Sequence, residues 1–153
     1  MPEKFFMERA LKLARDAAAE GEVPVGCVIV RNGIIIAEGR NRREETQNAL
    51  HHAEILAIDN ACFVLRNRRL AGCTLYVTLE PCPMCMGAII NSRLGAVYYG
   101  AKDAKAGACE SVLNMCAYPL NHKPLVKSGF MKEECAAVLS NFFAKKRGGT
   151  SNE

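Results

Sequence analysis

The sequence predicts an α/β protein, a three-layer α/β/α sandwich around a mixed five-stranded sheet. Three observations predict it. Helical and strand periodicities alternate along the chain, an Asn-Gly turn joins two apolar runs, and 153 residues suit one domain. Half the residues are hydrophobic and 24% are charged, the balance of an ordinary globular protein.

The elements follow in order. From Phe5 to Glu20, Phe6, Ala10, Leu13, Ala14 and Ala17 recur on one stripe, as in an amphipathic helix, and Gly21 ends it. VGCVIV, then Asn32-Gly33, then IIIAEG reads as a β-hairpin. Arg40 to Leu50 is polar and reads as a loop. Ala53 to Leu65 reads as a helix with Ile55, Ile58, Cys62 and Leu65 along one side. Thr74 to Leu79 is an apolar strand. A helix opens after Pro83, where proline suits a first turn, and runs to about Ser92. Ala96 to Tyr99 is the next strand. The long segment from Ala101 to Lys123 is small and polar, with a helical stretch around Ser111 to Cys116. Leu125 to Lys127 is read as a short last strand, and Lys132 to Lys146 as a helix with Cys135, Val138, Leu139 and Phe142 inward. The hairpin lies at one side of the sheet and parallel strands lie beyond it. One domain over residues 1–147 is expected, with a disordered tail over 148–153.

Several function classes are excluded or weakened by composition. No stretch reaches the roughly 20 apolar residues of a membrane span. The first 20 residues are charged throughout and lack an apolar signal core, so a cytoplasmic protein is expected. Eight cysteines suggest a disulfide framework only in short secreted chains; here most sit among apolar neighbours and read as small buried hydrophobes. A formal charge of +4 is weak evidence for a nucleic-acid partner.

Four residues carry the chemistry. His52 and Glu54 form an H-x-E at one helix start, and Cys82 and Cys85 form a P-C-x-x-C at another. Thiolates at a helix N-terminus have a lowered pKa, which favours metal binding. Three protein ligands leave one tetrahedral position open, the pattern of a catalytic zinc, and a water there has a pKa of about 7. Glu54, near that water but not ligating, can move its proton to a leaving amine. A lone C-x-x-C also fits half of a structural zinc site or a redox pair. No second C-x-x-C is present, and the preceding Glu80-Pro81 does not suggest a thioredoxin-like context. Together, H-x-E followed by P-C-x-x-C matches the zinc-deaminase signature. His51 lacks the H-x-E spacing and reads as solvent-facing or supporting. His122 reads as substrate-facing or exposed. Asn41 reads as a turn residue or as an amide contacting substrate.

The flanking segments carry a resemblance. TLYVTLEPCPMCMGAIINSR followed by LGAVYYGAKDAKAGA, with EVPVGCVIV, HAEILAI and EECAAVLSNFFAKKR, closely resembles the bacterial tRNA-specific adenosine deaminases from about Phe5 to Arg147. The resemblance implies a cytidine-deaminase-like fold and one Zn2+ per subunit held by His52, Cys82 and Cys85. It implies Glu54 as proton shuttle and a substrate pocket with Asn41, Val25 and Ala53. It also implies a homodimer that binds the tRNA anticodon stem-loop, arginine tRNA with an ACG anticodon foremost, and converts a flipped-out wobble adenosine to inosine. Lys102, Asp103, Lys105, Lys145, Lys146 and Arg147 are candidate RNA contacts, and so are Arg66, Arg68 and Arg69. The chain departs from the family pattern at Glu110, where glycine is usual, at His51, where a small residue is usual, and at Met86, where alanine is common. Two competing readings are a small-molecule deaminase acting on guanine or cytosine, and a non-catalytic zinc-binding RNA module. An unligated Glu54 argues against the second.

Overall fold

Strand β1 (Gly26–Arg31) is buried along five of its six residues, because helices cover both of its faces. Cys27 and Ile29 point into one core cluster; Val28 and Val30 point into the other. A strand that alternates between two apolar layers reads as a continuous hydrophobic run. The computed structural model describes residues 3–150.

The sheet order is β2-β1-β3-β4-β5. β2 (Ile34–Arg40) and β3 (Cys73–Leu79) flank β1 antiparallel; β4 (Ala96–Ala101) and β5 (Leu125–Lys127) follow parallel to β3. Asn32 and Gly33 both have positive φ, at 52° and 76°, the two-residue turn that the Asn-Gly pair announces. Helix α1 (Lys4–Ala19) and the last helix, α5 (Lys132–Thr150), cover one face; α3 (Ala53–Leu65) and α4 (Pro83–Asn91) cover the other. This is the expected α/β/α sandwich with its mixed five-stranded sheet. Among the described residues no helix is long and apolar enough to cross a membrane. All eight cysteines are free thiols, and Cys27, Cys73, Cys109 and Cys135 are buried as expected.

Four expectations need correction. The Arg40–Leu50 loop contains a single helical turn, α2 (Arg43–Thr46), because the buried carboxylate of Glu22 accepts the N–H groups of Glu44 and Glu45 at 3.2 and 2.8 Å. No local pattern announces a cap that arrives from twenty residues away. The helical stretch expected near Ser111 is only a 3-10 turn at Met115–Ala117, since the N–H groups of Cys109, Glu110 and Ser111 bond to Glu80 instead of to preceding carbonyls. The innermost stripe of α3 is Ala53, Glu54, Ala57, Ile58 and Ala61; Cys62 and Leu65 pack at the margin, and Phe63 is exposed. Finally, α5 runs past Lys146 to Thr150, so only residues 151–153 of the expected tail lie outside the described residues.

Small residues on α3 allow its backbone to lie directly on the sheet. A Cβ at Gly39 would overlap the carbonyl oxygen of Ala53 and reach 2.8 Å from the amide nitrogen of Ala57. Gly39→Ala therefore lowers the free energy of unfolding by about 1–3 kcal/mol in denaturant titration, the cost of overpacking. Gly87→Ala, in α4 with open space around it, stabilises instead, by roughly 0.5–1 kcal/mol. Equal effects at the two sites would overturn this account of the packing.

Candidate metal centre and its pocket

Two helices start at one edge of the sheet, and each carries a donor as its N-cap. His52 is the N-cap of α3 and Cys82 that of α4, both with extended backbones. Cys85 is the third residue inside α4, so the C-x-x-C spacing turns both sulfurs toward the same helix N-terminus. His52 Nδ1 lies 3.6 Å from Cys82 Sγ and 3.5 Å from Cys85 Sγ. All three donor atoms lie within 4.8 Å of one another. Zinc bonds of about 2.3 Å to sulfur and 2.0–2.1 Å to nitrogen at the tetrahedral angle place N and S about 3.6 Å apart. The donor set therefore fits zinc in both chemistry and spacing, with three protein ligands.

The two thiols compete for one negative charge. A hydrogen bond from the Cys85 thiol, together with His52, pulls Cys82 down to about 4. The same hydrogen bond and burial push Cys85 up. A divalent cation between them favours both thiolates, so its binding releases protons.

Glu54 is 4% exposed, and burial raises its carboxyl to about 7. It lines a cavity of about 210 Å³. Val23, Val25, Asn41, Arg43, Leu79 and Glu80 line it together with His52 and Cys82, and Asp103 and Ala106 reach it from the segment after β4. The cavity is smaller than the roughly 300 Å³ at which drug-sized pockets begin. A hollow of about 790 Å³ lies between β2 and the outer face of α3, but no donor residue lines it; chemistry, not size, selects the smaller cavity.

The structure thus brings His52, Cys82, Cys85, Glu54, Asn41 and Val25 together. Ala53 is fully buried beside the cavity, and its N–H donates to Asn41 Oδ1 at 3.0 Å. Asn41 Nδ2 donates to the Val23 carbonyl at 3.0 Å. Asn41 is therefore a structural brace that also faces the cavity, which joins its two sequence readings. The ring of His51 is held at both nitrogens, by Thr46 Oγ1 at 2.6 Å and Asn48 Nδ2 at 3.1 Å, so it braces the chain entering His52. His122 Nε2 donates to the Leu94 carbonyl at 2.7 Å, away from the cavity.

The basic candidates divide. Asp103 faces the cavity, with Oδ1 accepting the N–H groups of Lys105 and Ala106. Lys102 pairs with Glu110 at 3.6 Å, and Glu110 also accepts from the Tyr99 hydroxyl. Lys145 lines a groove between α1 and α5 with Arg15, Ala18, Ala19 and Phe142. Lys146 lies 5.7 Å above the ring of Phe142. None of Lys145, Lys146 and Arg147 lines the cavity. Sequence reasoning missed Glu22, Arg43 and Glu80. Glu80 carried a signal, since it stands two residues before a proposed ligand, whereas nothing local marks Glu22 or Arg43.

Comparison with known proteins agrees with this geometry. Residues 2–101 match the zinc-binding region of cytidine and deoxycytidylate deaminases. The tRNA-specific adenosine deaminase of Bacillus subtilis (strain 168) is 47% identical over 146 residues, covering 95% of this chain and 91% of that one. A solved tRNA:A34 deaminase, described for A-to-I editing at the wobble position of transfer RNA, superposes with a TM-score of 0.87 at 46% identity, covering 90% of this chain and all of the other. A guanine deaminase from Bacillus subtilis superposes with a TM-score of 0.65 at 40% identity, covering 81% of this chain and 79% of that one.

His52→Ala or Cys82→Ala brings the metal content, read by atomic emission, from one zinc per chain to nearly none, because two remaining donors do not hold the ion. Full zinc content in both variants would refute the donor set.

Proposed function

This chain belongs to the zinc-binding cytidine and deoxycytidylate deaminase family, and we propose that it hydrolyses the wobble adenosine of a tRNA anticodon to inosine. The observation that carries the reaction is one cavity in which a buried, proton-exchanging Glu54 faces the edge where His52, Cys82 and Cys85 converge. The substrate rests on identity of 46–47% along almost the whole chain with proteins named for that tRNA activity.

His52 Nδ1, Cys82 Sγ and Cys85 Sγ would hold the ion, and zinc, when bound, would supply an acidified water as nucleophile. Glu54 takes a proton from the attacking water and delivers it to the departing amine at C6, so water is consumed and ammonia released. Burial raises the proton affinity of its carboxyl, which suits it to accept as well as donate. Val25, Leu79 and Ala106 supply an apolar slot for a planar base. The amide of Asn41 keeps one N–H and one lone pair beyond its two backbone bonds, enough to meet a base edge. A base stacked in a loop reaches such a slot only by swinging out, which RNA loops permit.

The anticodon stem-loop is gripped, in this reading, by the basic end of α5. Helix α5 packs along α1, and the chain leaving α1 turns at Gly21 and lines the cavity with Val23 and Val25. Lys145, Lys146 and Arg147 thus belong to the helix pair that leads to the cavity wall. A homodimer in the cytoplasm completes the proposal. Exposed Phe63, Val64, Tyr118 and Leu120 offer apolar surface for a second copy.

Three experiments test it. The purified protein is incubated with an arginine tRNA bearing an ACG anticodon and, separately, with guanine, cytosine and cytidine. Inosine at the wobble position is expected, and small-molecule turnover without it favours the guanine or cytosine reading. Glu54→Ala lowers turnover by at least about 10²–10⁴-fold while keeping zinc; retained turnover refutes the shuttle. Replacing Lys145, Lys146 and Arg147 by alanine weakens RNA binding and reduces the slope of log K against log salt by about 2. An unchanged slope would move the RNA elsewhere.

A further inference from the structure

The cavity holds a second carboxylate besides Glu54, and its surroundings give it a different task. Glu80 is 2% exposed and lines the same cavity. Its Oε1 accepts the N–H of Asp103 at 3.0 Å and the hydroxyl of Ser111. Its Oε2 accepts the N–H groups of Cys109, Glu110 and Ser111 at 3.0, 2.9 and 3.0 Å. Five donors saturate the roughly four lone-pair directions of a carboxylate. Glu80 therefore has no site left for a substrate proton.

All five donors come from one segment, residues 103–111, which is made of turns. A segment without a hydrogen-bonded ladder takes its shape from what it is tied to. Here it is tied to Glu80 and, one residue on, to the Pro81 carbonyl, which accepts from the Ala108 N–H at 2.8 Å. The same segment brings Asp103 and Ala106 to the lining of the cavity. Close seating needs Gly107, because a Cβ there would overlap the Glu80 carboxyl group. The three donors and Glu54 lie at the starts of α3 and α4, outside residues 103–111.

We infer that Glu80 is a positioning residue: by clamping residues 103–111 it sets how tightly the pocket holds the base, and it takes no part in moving protons. The inference rests on the proposed base-deaminating function for its kinetic consequence, and on geometry alone for the clamp.

Glu80→Gln turns an amide NH2 toward N–H donors, and Gly107→Ala pushes the segment off from the opposite side. Each is expected to keep zinc at the wild-type level. Each speeds amide exchange at Asp103, Cys109, Glu110 and Ser111 at least tenfold, since an opened buried bond costs about 1.4 kcal/mol or more. Each raises KM for the anticodon stem-loop about tenfold and changes kcat less than about threefold, the signature of lost uniform binding. Unchanged exchange in both variants overturns the clamp, whatever the substrate. So does loss of zinc from both, or a fall in kcat at constant KM. A wild-type protein inactive on the stem-loop overturns the substrate reading instead, and KM is then read with whichever of guanine, cytosine or cytidine it turns over.

Discussion

The metal centre depends on how closely one helix can lie on the sheet. Three donors from two helices meet only if α3 sits with its backbone against β2, and Gly39 permits that contact where any side chain would strike Ala53. The alanines of α3 complete the approach: Ala53, Ala57 and Ala61 are fully buried. A helix built to bury large side chains would stand farther off and carry His52 away from Cys82 and Cys85. The core of this layer is therefore shaped by the site as much as by hydrophobic burial, which explains why Phe63 and Val64 of the same helix face outward.

Two buried carboxylates on one small cavity show how environment assigns roles. At Glu54 desolvation outweighs the hydrogen bonds and the nearby His52, so its proton affinity rises toward neutrality. Glu80 is equally buried but ringed by five donors, so its charge is stabilised. Burial alone does not set the direction of a shift; its balance against donors and charges does. Glu22 follows the logic of Glu80, accepting from Glu44 and Glu45 and holding the turn that brings Arg43 to the cavity. Both irregular walls are thus fastened by carboxylates distant in sequence, while the regular elements carry the metal donors.

This division explains what the sequence discloses. The elements of regular structure were legible because their periods are local: the α1 stripe, the Asn-Gly hairpin and the apolar strands. The donor set was legible because N-cap and third-position spacing is written in H-x-E and C-x-x-C. The α2 turn and the shape of residues 103–111 were not, because Glu22 and Glu80 act across some twenty to thirty residues. The inner face of α3 was misjudged for a related reason. Hydrophobic size predicts burial only when a helix packs at ordinary distance, and Gly39 removes that assumption.

Charge at the surface is narrowed in the same way. Arg66, Arg68 and Arg69 follow the end of α3 opposite to His52. A thirteen-residue helix rising 1.5 Å per residue puts them about 20 Å from the donors, beyond a Debye length of about 8 Å at physiological salt. Lys102 stands nearer, but Glu110 pairs with it and offsets its charge. The C-terminal end of α5 carries Lys145, Lys146 and Arg147 in succession, and Lys145 lies in the groove between α1 and α5.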